Sequence, residues 1–245
     1  MSIVSAKFLI FITLTLILYY FCPPKWRWCV LLTASVGFFL ANSSVALLAV
    51  FAAMTLVSWL AALGIARAKA EETKTLIVGE AIIALLAVLF LYKESSFVVG
   101  NCNIIARITG LPIGMEMPKW VAPLGISYYT LILIGYLLDV RWATISEPQK
   151  NPLKMLLFAG YFPQMISGPF SRYFFMQEAL FNGGSFQVRN LWNGLQRMIW
   201  GIFKVLVVST RLSVFTSAIY EAQALPGNPL RGFGFVFGAI MYVLT

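Results

Sequence analysis

The residues best suited to chemistry sit in two runs broken by proline and glycine. The first reads APLGISYYT over 122–130. It joins Pro123 and Gly125 to the hydroxyls of Ser127 and Tyr128, with Tyr136 and the sole aspartate, Asp139, further along. The second reads YFPQMISGPFSR over 161–172 and contains Phe162, Pro163, Gln164, Gly168, Pro169 and Arg172. Two prolines six apart, with a glycine between, cannot belong to one regular helix. Each removes a backbone donor and disfavours the helical region at the residue before it. At membrane depth such backbone survives only when buried in protein or bordering water. The first run reads either as a kinked span with interfacial aromatics or as the polar wall of a cavity. The second reads as a re-entrant or broken element. Arg172 either holds an anion or anchors a helix end. Asp139 either closes an interfacial ion pair with Arg141 or partners a cation in a buried site, since charges inside a membrane are costly.

No catalytic constellation is complete. The chain has no histidine, which removes the usual general base, proton shuttle and zinc ligand. Its three cysteines, Cys22, Cys29 and Cys102, form neither a disulfide framework nor a metal spacing. No metal site is expected. Lys204, in WGIFKVLVV, either snorkels from an apolar stretch or serves a site.

The elements that must position these residues are membrane helices. Of 245 residues, 60% are hydrophobic and 11% charged, against about 25% charged in a soluble domain. The expected fold is all-α, a polytopic multi-helix bundle. Apolar stretches lie at about 8–21, 29–41, 45–66, 76–92, 120–140, 155–170, 191–208 and 232–245. Residues 95–119 read as a loop or as short interfacial helices. The net charge of +9 is spread one to three residues at a time at the ends of these stretches. That pattern suits lipid headgroups and topology control, and gives no phosphate-tracking groove for nucleic acid. Lys and Arg after the first and third stretches put the N-terminus outside. The last stretch is too short to span, so the sequence reads as part of a longer one.

The same two runs resemble the membrane-bound O-acyltransferase family. Its bacterial members carry a stretch like lPlGISFyTFqsisYliDvyrg, and residues 122–141 here read APLGISYYTLILIGYLLDVR. The family then has FPqliaGPIvR, matched by FPQMISGPFSR over 162–172, and Gl..f..GlfKKvviad, matched by GLQRMIWGIFKVLVVS over 194–209. PKWR at 24–27 and LLTAS at 31–35 fit as well. The second lysine of the family's KK is Val205 here. The resemblance implies a multi-pass protein of the bacterial cell membrane, N-terminal half only. A family QiYfDFSGYsd segment and the catalytic histidine are expected beyond Thr245.

It further implies transfer of an acyl group, expected to be acetyl, to hydroxyls of an extracytoplasmic polysaccharide, as in the alginate O-acetyltransferase branch. The donor would be a thioester, acetyl-CoA or an acyl carrier protein. An extracytoplasmic partner protein would complete the transfer. The kinked runs would shape a pore. The alternatives are D-alanyl transfer to teichoic acid, a non-enzymatic transporter, or a scaffold role for a short chain.

Overall fold

The computed structural model describes residues 5–109, 121–145, 147–165, 168, 170–224 and 231–243. The chain is all-α, without a strand among the described residues. It forms two compact units, Met1–Gly184 and Ser185–Thr245.

Local signals set the first helices. Ser5 caps α1 (Ala6–Phe21), its side chain accepting from the Phe8 amide at 3.3 Å. Pro23 and Pro24 follow and end it, and a single 3₁₀ turn, Pro24–Trp26, leads into α2 (Arg27–Asn42). Ser43 is extended and Ser44 caps α3 (Val45–Arg67) through the Leu47 amide at 3.4 Å. Asn42-Ser43-Ser44 is thus the tight helical hairpin that the spacing predicts. In α4 (Glu71–Lys93), Glu71 and Glu72 occupy the first turn and Lys93 the last, opposing the helix dipole at both ends.

Residues read from sequence as a loop or short interfacial helices include α5 (Ser95–Thr109), a single helix of 15 residues. Residues 110–120, including Trp120, lie outside the described residues. Next come α6 (Ile126–Arg141), α7 (Pro152–Ala159) and α8 (Tyr173–Phe181). The second unit holds α9 (Val188–Phe203), a π-helical stretch (Lys204–Ser209), α10 (Thr210–Ala224) and α11 (Arg231–Val243).

Among the described residues, three helices are long and apolar enough to cross a membrane: Val45–Arg67, Glu71–Lys93 and the continuous Val188–Glu221. At 23 residues, α3 and α4 are each about 35 Å long, against about 30 Å of hydrocarbon. The stretch 155–170, drawn as a span, departs most from expectation. Its helix, α7, has eight residues, because Pro152 opens it and Gly160 ends it before Pro163. About 12 Å of helix cannot cross a bilayer.

Within the first unit α6 is the central helix, packed on α3 and α4. Nine of its residues are buried, among them Tyr129, Leu133, Tyr136, Leu137 and Asp139. By contrast α1 buries only Phe8 and Thr15 and exposes Ile10, Leu14, Ile17 and Leu18. Apolar surface on that scale needs lipid or protein as its neighbour.

The two ends of this bundle differ in charge. The α1–α2 corner, the α3–α4 loop and the C-terminus of α6 share one end, where Arg141 pairs with Glu71 at 2.7 Å. Lys154, in α7, stands over the Trp28 ring at 5.7 Å, which puts the start of α7 there too. Lys25, Arg27, Arg67, Lys74, Arg141 and Lys154 therefore gather at that end. The opposite end holds the Asn42–Ser44 link, where Ser43 Oγ accepts from the Leu124 amide at 3.3 Å.

Candidate functional site

The backbone before α6 makes the first run special. Gly125 sits at φ +69, in the left-handed region that favours glycine, and starts the helix. Pro123 and Gly125 thus precede α6 and do not kink it; from Ile126 to Arg141 the helix is regular. A Cβ on Gly125 would stand 2.3 Å from the Met165 carbonyl oxygen. Only glycine lets the two runs come this close.

The second run is the return path of a hairpin. From the basic end α7 runs inward, and the chain turns at Gly160 and continues through Tyr161–Met165 without helix. It then comes back by Gly168 and residues 170–172 into α8, which finishes at the basic end. The return is fixed by Arg27. Its guanidinium donates to the carbonyls of Gly183 at 3.3 Å and Gly184 at 2.6 Å, and to Cys22 O at 3.1 Å. Lys154, at the start of α7, lies 5.1 Å from the Phe181 ring at the end of α8. At the tip, the Phe162 amide donates to Ser35 Oγ of α2 at 3.2 Å.

The two runs meet in register. Met165 touches Gly125. The rings of Tyr128 and Phe170 stack at 5.5 Å. Arg172 Nη1 lies 3.7 Å from Asp139 Oδ1, and Tyr173 packs on Tyr136 at 5.1 Å. Met165, Phe170, Arg172 and Tyr173 therefore track α6 from its N-terminus toward its C-terminus. Asp139 faces Arg172 here, whereas Arg141 turns to Glu71 and to Thr75 Oγ1, 3.1 Å away. Asp139 is buried, while the Arg172 side chain remains 63% exposed. The pair thus links a protected carboxylate to a guanidinium that still reaches its surroundings, an arrangement that can hold a further anion.

The other candidates distribute as follows. Ser127 Oγ lies 3.4 Å from Lys93 Nζ, at the end away from the basic cluster. Gln164 Nε2 donates to Ser171 Oγ at 2.8 Å and reaches Met176 Sδ at 3.2 Å, which ties the turn to its own return strand of chain. Gly168 presses on Gln164, whose Cα a Cβ there would meet at 2.4 Å. Phe162 is buried among Phe8, Phe11 and Phe38, with ring centroids 5.2 to 6.3 Å away, so its part is packing. Pro163 borders a groove beside α1. Pro169 lies outside the described residues. Lys204 is exposed in the second unit, at the start of the π-helical stretch.

Gln149 is the site residue that the sequence did not signal. It follows Pro148 in a polar connection. Its amide donates to Tyr136 Oη at 2.9 Å, and its carbonyl accepts from Trp59 Nε1 at 2.8 Å. Its side chain donates to Tyr173 Oη at 2.9 Å and accepts from the Asn151 amide at 3.0 Å. One residue therefore joins α3, α6, α7 and α8. Nearby, Lys150 bonds Glu147 at 2.8 Å and holds its carboxyl below the usual range.

No family model and no solved structure matches the chain. Curated relatives do. A probable alginate O-acetylase of Pseudomonas putida is 28% identical over 238 residues, covering 95% of this chain and 46% of that protein. One from Azotobacter vinelandii is 28% identical over 209 residues, with 83% and 40% covered. One from Pseudomonas aeruginosa is 28% identical over 237 residues, with 95% and 43% covered. The chain spans less than half the length of these relatives. Over nearly its whole length it is similar to probable alginate O-acetylases, members of the membrane-bound O-acyltransferase family that its two broken runs resemble.

Proposed function

We propose that this chain forms the N-terminal part of a membrane acyltransferase of the bacterial cell membrane, acting on hydroxyls of an extracytoplasmic polysaccharide. The observation that carries the proposal is the registered contact between 122–139 and 161–173, from Gly125 on Met165 to Asp139 on Arg172. The relatives, probable alginate O-acetylases, suggest the reaction class, O-acetylation. The basic end of the bundle faces the cytoplasm under the positive-inside rule, which puts the start of α1 outside. The hairpin α7–α8 is then a cytoplasmic re-entrant element, and its non-helical tip and return line one wall of a polar passage.

In this reading the chain's own residues position and bind. Arg172, poised by the buried Asp139 carboxylate, receives an anionic part of a cytoplasmic thioester donor such as acetyl-CoA or an acyl carrier protein. Tyr128, Ser127 and Gln164 offer hydroxyl and amide groups along the way. General-base chemistry of the imidazole kind is not among these residues, since the chain has no histidine. A partner protein that passes the acyl group to the polysaccharide completes the scheme.

The test is transfer of labelled acetate from acetyl-CoA by membrane vesicles carrying the protein encoded by the gene read past codon 245. Arg172→Ala is expected to cut transfer by at least about tenfold with protein level unchanged, the loss of one charge-assisted contact. Vesicles that take up a solute but transfer no acyl group, with or without the partner, would point to the transporter reading instead.

A further inference from the structure

We propose that the groove between α1 and α8 is a binding site for one acyl chain of an anionic phospholipid. The groove is apolar, with a volume of about 310 Å³. Ile12, Leu16 and Tyr19 line it from α1, Pro163 from the hairpin tip and Ala179 from α8. The α1 residues recur at i, i+4 and i+7, so the groove follows that helix for about 10 Å. It therefore runs along the bundle axis, as a lipid chain does.

The two ends of the groove differ. Near the hairpin tip Phe162 and Pro163 line it. Toward the basic end it finishes at Tyr19, whose ring lies 5.3 Å from the Arg27 guanidinium. Arg27 satisfies backbone carbonyls there, and no carboxylate pairs with it among the described residues. Lys154 stands beside Phe181, the residue after groove-lining Leu180, and Lys25 is exposed in the adjoining 3₁₀ turn. The one acid of α8, Glu178, falls on the far side of that helix from Met176, Ala179 and Leu180. An apolar slot with a cationic mouth is complementary to an alkyl chain ending in a phosphodiester.

The neighbouring surfaces argue for the same occupant. Leu14 and Leu18 on the outer face of α1, with Phe174 and Phe175 of α8, also expose apolar side chains. At membrane depth such faces suit contact with hydrocarbon, and the groove lies between the two helices that carry them. A seated chain would touch Pro163 and brace the hairpin tip against α1, so bound lipid would stiffen the element that carries Gln164 and Arg172.

Native mass spectrometry of the 245-residue chain, released from micelles with phosphatidylglycerol, phosphatidylethanolamine and phosphatidylcholine of identical chains, tests the proposal. Phosphatidylglycerol should be retained about tenfold over phosphatidylcholine, as expected for a pair of added cations. Lys25→Gln with Lys154→Gln should bring that ratio toward one while retaining some lipid. Ala179→Trp, at an exposed position, fills the groove and should abolish retention. Leu16→Trp closes it from the other side and serves if the first variant does not fold. Equal retention of the three lipids, or full retention in both tryptophan variants, would overturn the site.

Discussion

Gly125 and Arg172 illustrate how single residues hold the two runs together. A side chain at Gly125 meets two penalties at once: the left-handed φ, and the Met165 carbonyl 2.3 Å from any Cβ. Gly125→Ala is expected to destabilise the first unit by about 2–4 kcal/mol, read as a lowered denaturation midpoint in detergent. Arg172→Ala leaves the Asp139 carboxylate without its ion partner. A fully buried pair broken in this way costs about 3–5 kcal/mol, but Arg172 is 63% exposed, so solvent screening reduces the figure to about 1–2. Asp139→Asn combined with Arg172→Ala should recover part of that loss, which a double-mutant cycle on the melting curve measures. Ala143 gives the opposite sign. It adopts φ 56 just after α6, where the Thr144 amide donates back to the Asp139 carbonyl at 2.9 Å. Ala143→Gly should stabilise by about 1 kcal/mol by removing the left-handed cost.

The hairpin α7–α8 behaves as one element because Gln149 ties its base to the bundle. Gln149→Ala removes two side-chain bonds but keeps both backbone ones. The expected result is about 1–2 kcal/mol of local destabilisation, seen as faster amide exchange over 161–173 with α3 and α4 unchanged. This element also shows what a sequence can and cannot convey. The spacing of Pro163, Gly168 and Pro169 rules out a plain helix, and a broken element was readable from it. The register against α6 was not, since Gly125 and Met165 are 40 positions apart and nothing local encodes their contact. Gln149 was invisible for a related reason: a glutamine in a polar connection looks solvated until the fold surrounds it with two tyrosines and a tryptophan. Phe162 was singled out with the motif, yet its ring belongs to a phenylalanine cluster. The sequence leaves α5 open between a loop and short interfacial helices, because its asparagines and glycine resemble loop composition while its apolar residues still repeat at helical spacing.

Across the whole molecule, burial is concentrated in the first unit. Every buried core side chain falls in residues 8–180, apart from Thr216 among the described residues. Residues 1–184 produced alone should therefore remain monodisperse in detergent and melt cooperatively; a broad, non-cooperative transition would show that the second unit is needed for packing. The asymmetry of charge between the two ends was legible from Lys and Arg placement, because it depends on counting loops and not on tertiary contact.

The hairpin's place in the chain has a consequence for assembly. Among the described residues, its partners in α1, α2, α3 and α6 precede it in sequence. During synthesis from the N-terminus, each surface that will receive the tip has already left the ribosome when Pro163 emerges. With respect to these partners the segment does not have to wait with its amides exposed to hydrocarbon. Moving residues 152–184 ahead of α6 by circular rearrangement would abolish that order, and would leave the tip's open backbone to find water or chaperone first.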